Sequence, residues 1–138
     1  MKKIHYLLVL VIWITGCDEI ATGFMRGMLE GRISANEETA QVFCGIYARA
    51  ISAFRDTEGR YPFNFQELSE INYISSKSPH HRLVLRSKPA QGYVYSYHYI
   101  DADHFILEAK PAKMGITGHR VFRVDEKGKV YAVEQAQY

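Results

Sequence analysis

Cysteine, proline and long apolar runs are scarce in this chain. Its 138 residues include two cysteines and four prolines. Two cysteines exclude a disulfide-stapled scaffold, and 47% hydrophobic residues with 13% aromatics exclude a disordered or collagen-like chain. The longest apolar run, Tyr6–Ile14, is shorter than the roughly 20 residues that a membrane-spanning helix needs. The remaining composition, 47% hydrophobic and 23% charged, is that of a folded protein with room for one ordinary domain.

The chain also lacks an excess of one charge sign. Apart from Lys2 and Lys3, 15 basic side chains stand against 15 acidic ones. A surface that binds nucleic acid carries a clustered basic excess. We therefore expect no nucleic acid among the partners of this protein.

Common catalytic motifs are absent from the sequence. There is no Gly-x-Ser-x-Gly elbow, no P-loop and no zinc-protease His-Glu pair. Zinc needs three or four converging ligands, and the spacing of His98, His104 and His119 does not require such a site. The alternative is a metal site built by these three histidines across the sheet. We expect a protein that is not an enzyme and has no metal and no cofactor.

The first 16 residues have the three parts of a secretory signal sequence. Lys2-Lys3 is the basic start, Tyr6–Ile14 the apolar run, and Thr15-Gly16 the small-residue exit. The next residue is Cys17, and Ile14-Thr15-Gly16-Cys17 resembles the lipobox of bacterial lipoproteins. The resemblance implies cleavage before Cys17, a diacylglycerol thioether on its sulfur, and acylation of the new amine. The alternatives are an ordinary signal peptide with a chance cysteine and an uncleaved apolar segment.

A lipidated Cys17 would tether the mature chain to a membrane. One acyl chain binds only marginally, at about 0.8 kcal/mol per buried methylene, whereas two or three chains anchor stably. Asp18 resembles the inner-membrane retention signal of enterobacterial lipoproteins, which favours the periplasmic face of that membrane over the outer membrane or cell surface. Acylation would leave Cys44 without an intrachain partner, so we expect Cys44 to be buried as a small hydrophobe.

Residues 17–35 are predicted to be a tether. Gly23, Gly27 and Gly31 each cost about 1 kcal/mol in a helix relative to alanine, which favours a flexible or partly helical segment. The alternative is a helix that lies on the membrane or docks a partner helix.

Residues 36–138 are predicted to form one globular α+β domain. Ser34-Ala35-Asn36-Glu37 matches a capping box, so a long amphipathic helix is expected over about 37–58, ended by Gly59. Its apolar side is predicted at three- and four-residue spacing: Phe43, Ile46, Tyr47, Ala50, Ile51 and Phe54.

Beyond that helix the pattern changes from helical to extended. Asn64 caps a short second helix, residues 75–81 read as a surface loop, and Leu83–Leu85 is a candidate strand. An antiparallel meander of three to four strands follows, over Tyr93–Ile100, Phe105–Lys110, Arg120–Val124 and Lys129–Val133.

Tyrosines alternate along the first long strand. Tyr93, Tyr95, Tyr97 and Tyr99 share one side of it. They form either a candidate interaction surface, able to stack on sugars or pack against a protein, or the core side of the sheet under the helix.

The order of these motifs resembles the globular domains of type IV pilin-like proteins, especially the major pseudopilin of type II secretion systems. The similarity covers residues 40–133, and its best part runs from the amphipathic helix through Asp56, Gly59 and Tyr61-Pro62 to Leu68. Later pieces are Pro89 to Tyr95, Phe105 to Pro111 and Phe122 to Gly128.

This resemblance implies a non-catalytic structural or interaction protein of the bacterial envelope, associated with a type II secretion or type IV pilus system. Pilins keep their apolar segment after cleavage, whereas here it would be lost, so a lipid replaces the stem. The alternative is an envelope lipoprotein with enzymatic or ligand-binding activity that uses the tyrosine- and histidine-rich sheet.

Overall fold

The structure, a computed structural model, describes residues 2–71, 74–75, 77–86 and 88–133, with side chains from residue 21 onward. The chain forms two compact units, residues 1–32 and 33–138. Its elements are α1 (Lys2–Glu58), α2 (Phe65–Glu70), α3 (Pro79–Leu85), β1 (Tyr93–Tyr99), β2 (Phe105–Pro111), β3 (Val121–Val124) and β4 (Val130–Val133). This order confirms the predicted α+β class.

Helix α1 ends at the predicted place but begins earlier than predicted. Gly59 follows its last residue with φ +71°, and the Gly59 N–H donates to the carbonyl of Arg55. The start near residue 37 is wrong because residues 34–37 lie inside α1. The side chain of Glu37 accepts hydrogen bonds from a distant loop and does not cap a helix. Residues 21–35 also lie within α1, so this segment is helical throughout and the flexible interpretation of it is wrong.

From Ile33 onward, α1 packs through one side. Tyr47, Ile51 and Phe54 are at most 1% exposed, and burying each such side chain contributes about 1.5–3 kcal/mol. Ile46, predicted on the same side, is exposed. Cys44 is fully buried as predicted, and burial raises the pKa of its thiol to about 12.

The Tyr61-Pro62 pair fastens the end of α1. The hydroxyl of Tyr61 accepts a hydrogen bond from Arg55 at 2.8 Å, and the Arg55 guanidinium lies 4.6 Å from the Tyr61 ring centre. The same ring meets Phe105 of β2 edge-on at 4.7 Å. The pair thus joins the end of the helix to the sheet.

The two short helices differ in how well the pattern predicts them. Helix α2 is confirmed, with the Asn64 side chain accepting from the amides of Gln66 and Glu67. Helix α3 replaces the last three residues of the predicted loop, 79–81, and the predicted strand at Leu83–Leu85. Pro79 occupies its first turn, where a missing N–H costs nothing, and Val84 points into the core.

The four strands form one antiparallel sheet in the order β1-β2-β3-β4, so the predicted meander is confirmed. Tyr95 lies opposite Ala109 and Tyr97 opposite Leu107, which puts the tyrosine row on the side of the sheet that carries Leu107. That side belongs to the core cluster with α1, α2 and α3.

Candidate functional site

The predicted lipid attachment residue, Cys17, lies outside the residues whose side chains are described, as does the lipobox around it. In the part of the chain that is described, no helical stretch combines the length and hydropathy that crossing a bilayer requires.

The tyrosine row lies on the core side of the sheet. Tyr93 and Tyr95 are at most 2% exposed, and Tyr97 and Tyr99 are half-buried. The hydroxyl of Tyr93 donates to the carbonyl of Arg120 at 2.8 Å, and that of Tyr97 donates to the carbonyl of Pro62 at 2.6 Å. The interpretation as an interaction surface is wrong for Tyr93 and Tyr95, which belong to the core cluster, while Tyr97 and Tyr99 pack against that cluster and stay partly exposed.

A polar cluster lies within this aromatic core. The hydroxyl of Tyr47 is 3.4 Å from Nδ1 of His80 and 3.2 Å from Nδ1 of His81. The His80 ring stacks on Phe43 with centroids 3.3 Å apart, and His81 is 1% exposed. The sequence places these two histidines in a surface loop, and the structure corrects this, since α3 turns them towards α1.

Burial keeps these imidazoles neutral near pH 7. It lowers the pKa of His80 to about 4, with a further lowering from the neighbouring His81, and it also lowers the pKa of His81. Nε2 of each histidine and the hydroxyl of Tyr95 have no hydrogen-bond partner within the described structure. Protonation of either ring would place a charge in this buried cluster, so the contact between α3 and α1 is most favourable with both rings neutral.

The other predicted histidines lie elsewhere. His98 is exposed on β1, and Nδ1 of His104 lies 2.8 Å from a carboxylate oxygen of Asp101, which raises the pKa of His104. His119 donates its backbone N–H to Glu37. Within the described ranges, no three His, Cys, Asp or Glu side chains come close enough to share a metal ion.

Glu37 joins α1 to the loop between β2 and β3. Its carboxylate accepts the backbone amides of His119 at 2.7 Å and Arg120 at 3.1 Å, and Nε of Arg120 donates to it at 2.6 Å. Burial by itself raises the pKa of Glu37, but these hydrogen bonds outweigh it and hold the pKa below its usual value. Beside it, Asn36 donates to the carbonyl of Thr117 at 3.0 Å.

A second carboxylate is enclosed on the opposite side of the sheet. Glu108 lies 2.7 Å from Nζ of Lys110 and 2.6 Å from Nε of Arg123. Its side chain is 7% exposed while both cations reach solvent. Burial opposes ionisation of Glu108, but the two cations lower its pKa overall.

An open groove lies where α2, α3 and the edge strand β1 meet. It has a volume of about 290 Å³ and is lined by both polar and apolar side chains, including Gln66, Leu85, Ser96 and His98. These groups offer hydrogen-bonding and apolar contacts to a small ligand.

A third surface lies in the first unit. Phe24, Met25 and Met28 are each at least 60% exposed on α1. The apolar residues of this segment are visible in the sequence. The low helix propensity of Gly23, Gly27 and Gly31 is the reason that the sequence does not predict a continuous helix there.

Two groups of structural residues are missed by the sequence argument. Glu37 is misassigned because the capping-box pattern matches it by chance. His80 and His81 are missed because α3 is not expected, although Ser78-Pro79 is a recognisable helix-start signal.

Comparison with known protein families, curated proteins and solved structures finds no match for this chain.

Proposed function

We propose that this chain is an exported, lipid-anchored and non-catalytic structural or interaction protein of the bacterial cell envelope, with a pilin- or pseudopilin-like domain. The observation that carries the proposal is Ile14-Thr15-Gly16-Cys17 at the end of a signal-like segment. In this proposal Cys17 becomes the first residue, and its acyl chains hold the protein in the membrane.

The order of elements supports the pilin-like part of the proposal. A long helix ends at Gly59, Tyr61-Pro62 follows, and an antiparallel meander completes the domain. The Tyr61 ring holds the helix end to Phe105, which is a stabilising role without chemistry.

The buried charged groups support a non-catalytic role. Glu37 and Glu108 are each neutralised by cations of the same chain, and both carboxylates have lowered pKa values. A general acid or base working near pH 7 needs a pKa close to that pH. Cys44 is buried with a raised pKa, which is the opposite of an activated thiolate.

The experiment is intact-mass analysis of the protein purified from its own membrane fraction. The expected species begins at Cys17 and carries diacylglycerol and an amide-linked acyl chain. A Cys17→Ala variant should accumulate as the uncleaved, unacylated precursor. An unmodified Cys17 thiol with residues 1–16 still attached would contradict the lipid anchor.

Crosslinking of the acylated protein in its native cell tests the partner class. Pseudopilins, pilins or a secretin among the identified products would support the envelope-assembly role. Their reproducible absence would remove the association with a secretion or pilus system and leave an anchored domain of another envelope function.

The groove between α2, α3 and β1 favours a second candidate, a lipoprotein that binds a small ligand. Gln66, Ser96 and His98 bring polar groups to this groove, and Leu85 brings an apolar one. Ser96→Trp should fill the groove, and Ser52→Trp makes the same change at an exposed position of α1 as the control. A cell-envelope defect in a strain that carries Ser96→Trp but not in one that carries Ser52→Trp, with unchanged crosslinking products, would favour the ligand-binding candidate.

A further inference from the structure

Residues 21–32 carry large apolar side chains that are exposed. Phe24 is 68% exposed, Met25 66% and Met28 60%. Further along the same helix, Tyr47 and Phe54 are almost completely buried. A contiguous exposed apolar patch on a folded protein usually marks an interaction surface.

These side chains lie on one side of α1. A helix turns by about 100° per residue, so Phe24, Met28 and Met25 fall within an arc about 100° wide. By the same geometry, Arg26 and Glu30 fall on the opposite side, whereas Arg32 at the end of the segment falls within the apolar arc. The segment is therefore an amphipathic helix of the kind that lies in a membrane interface.

The position of the segment close to Cys17 indicates what covers its apolar side. A helix rises about 1.5 Å per residue, so Met25 is about 12 Å along the axis from residue 17. If Cys17 is acylated, the polar surface of a bilayer lies within this distance. We infer that the side of residues 21–32 that carries Phe24, Met25 and Met28 inserts into the interface of a phospholipid bilayer, an inference that rests on the proposed lipid anchor.

A partner helix fits this surface less well. Gly23, Gly27 and Gly31 have open space where a Cβ would be, so another helix would approach closely on their side. Helical geometry puts the middle glycine about 160° from Met25, so a helix packed on the glycines would leave Met25 in water. A bilayer covers all three apolar side chains at once.

The charged residues of the segment suit phospholipid. Arg26 and Arg32 have long stems that let their guanidinium groups reach lipid phosphates while the helix lies deeper. Glu30 is the acidic residue of this stretch, so the attraction is modest. Apolar contact supplies most of the binding, and insertion should persist in about 0.5 M NaCl, where exposed charges are screened.

The test is a cysteine scan of the acylated full-length protein on vesicles. Cys44 is fully buried and Cys17 would be a thioether, so a maleimide NBD dye should label only the introduced cysteine. Single substitutions Phe24→Cys, Met25→Cys and Met28→Cys probe the apolar side, with Arg26→Cys and Glu30→Cys as matched controls. The vesicles contain about three parts phosphatidylcholine to one part phosphatidylglycerol, with nitroxide-labelled lipid as the quencher.

We expect NBD quenching about twofold or more stronger at positions 24, 25 and 28 than at 26 and 30. Adding Phe24→Ser and Met28→Ser to the Met25→Cys protein should reduce the quenching at position 25 towards the value at 26. Acylation keeps every variant on the vesicle, so these differences report depth and not attachment.

A flat quenching profile along residues 24–30 would overturn the inference. Concentration-dependent blue shifts without lipid quenching would also overturn it, in favour of a second copy of the chain. The intact mass of the same samples reports acylation of Cys17 separately. An acylated protein with a flat profile removes only this inference, whereas an unacylated protein with its leader attached removes the proposed anchor whatever the profile shows.

Discussion

Single residues hold this protein together mainly by joining segments that are far apart in sequence. Glu37 collects two backbone amides and a guanidinium from the loop between β2 and β3. Arg55 links the end of α1 both to Tyr61 and to Asp103 in the turn between β1 and β2. Because Glu37 is buried, losing its contacts leaves donors without acceptors, which costs more than losing an exposed pair.

Glu37→Gln should lower the free energy of unfolding by about 2 kcal/mol, because the neutral amide loses the charge-assisted bonds and presents N–H groups to Arg120. Urea titration followed by circular dichroism measures this change. Glu38→Gln makes the same charge change on the exposed neighbour and should stay within about 0.5 kcal/mol of the parent. Equal effects of the two substitutions would show that Glu37 does not join the helix to the loop.

Acid should destabilise the protein through His80 and His81 before it protonates the buried carboxylates. Burial lowers the pKa of His80 to about 4, so the unfolded chain binds protons first as pH falls below about 6.5. The stability due to the neutral ring is complete above that pH and is lost as pH falls towards 4. His104, whose pKa is raised by Asp101, has the opposite sign, but it is exposed and contributes little.

We expect His80→Phe to keep the stack on Phe43 and to remove about 1 kcal/mol of the stability lost between pH 7.5 and 5, after allowance for solvent screening. Urea unfolding at both pH values measures this difference. His98→Phe makes the same change at an exposed histidine of β1 and serves as the matched control. Parallel pH curves for His80→Phe and the parent would contradict the buried-imidazole explanation.

At the scale of secondary structure, Gly59 defines the C-terminal end of helix α1. Gly59 takes a left-handed φ of +71°, and a Cβ added there would touch nothing. The cost of a side chain at this position therefore comes from the backbone alone. Gly45 lies inside α1 with equally open surroundings. It lowers the stability of the helix relative to alanine and is not needed for a turn.

Gly59→Ala should cost about 1 kcal/mol because an L side chain disfavours positive φ, whereas Gly45→Ala should gain about 0.5–1 kcal/mol from better helix propensity. The two variants make the same chemical change, and thermal or urea unfolding gives both values. Stabilisation by both substitutions would show that the helix does not need its left-handed end.

At the scale of the whole molecule, the second unit contains its own core. The buried apolar residues of the described chain begin at Ile33 and continue through Val124. The described residues 21–32 contribute no buried side chain. The sheet and the C-terminal part of α1 thus supply one another's apolar cover.

A fragment of residues 33–138 should fold alone, because its apolar core and the Glu37 contacts are complete. We expect cooperative urea unfolding and near-ultraviolet circular dichroism like those of the longer chain. A fragment of residues 42–138 lacks Glu37 and Ala40 and should be measurably less stable or fail to fold. Loss of cooperative unfolding in the 33–138 fragment would show that its core depends on the preceding segment.

Much of this protein is determined by local pattern. The alternation at Tyr93–Tyr99, the left-handed Gly59 and the Asn64 cap are short-range effects, so the strands, the end of α1 and the start of α2 follow from neighbouring residues. The signal-like segment and Cys17 are likewise a property of the sequence.

Only the tertiary structure decides which of two compatible local patterns is used. Ser34 to Glu37 suits a helix start or a helix interior. The structure has the interior, and there the carboxylate of Glu37 accepts the loop amides of His119 and Arg120. Leu83–Leu85 suits a strand or a helix, and α3 forms because Val84 and His81 gain a buried surface beside α1. The tyrosine row is core for the same reason: burial depends on which elements cover a surface, and that is a long-range property.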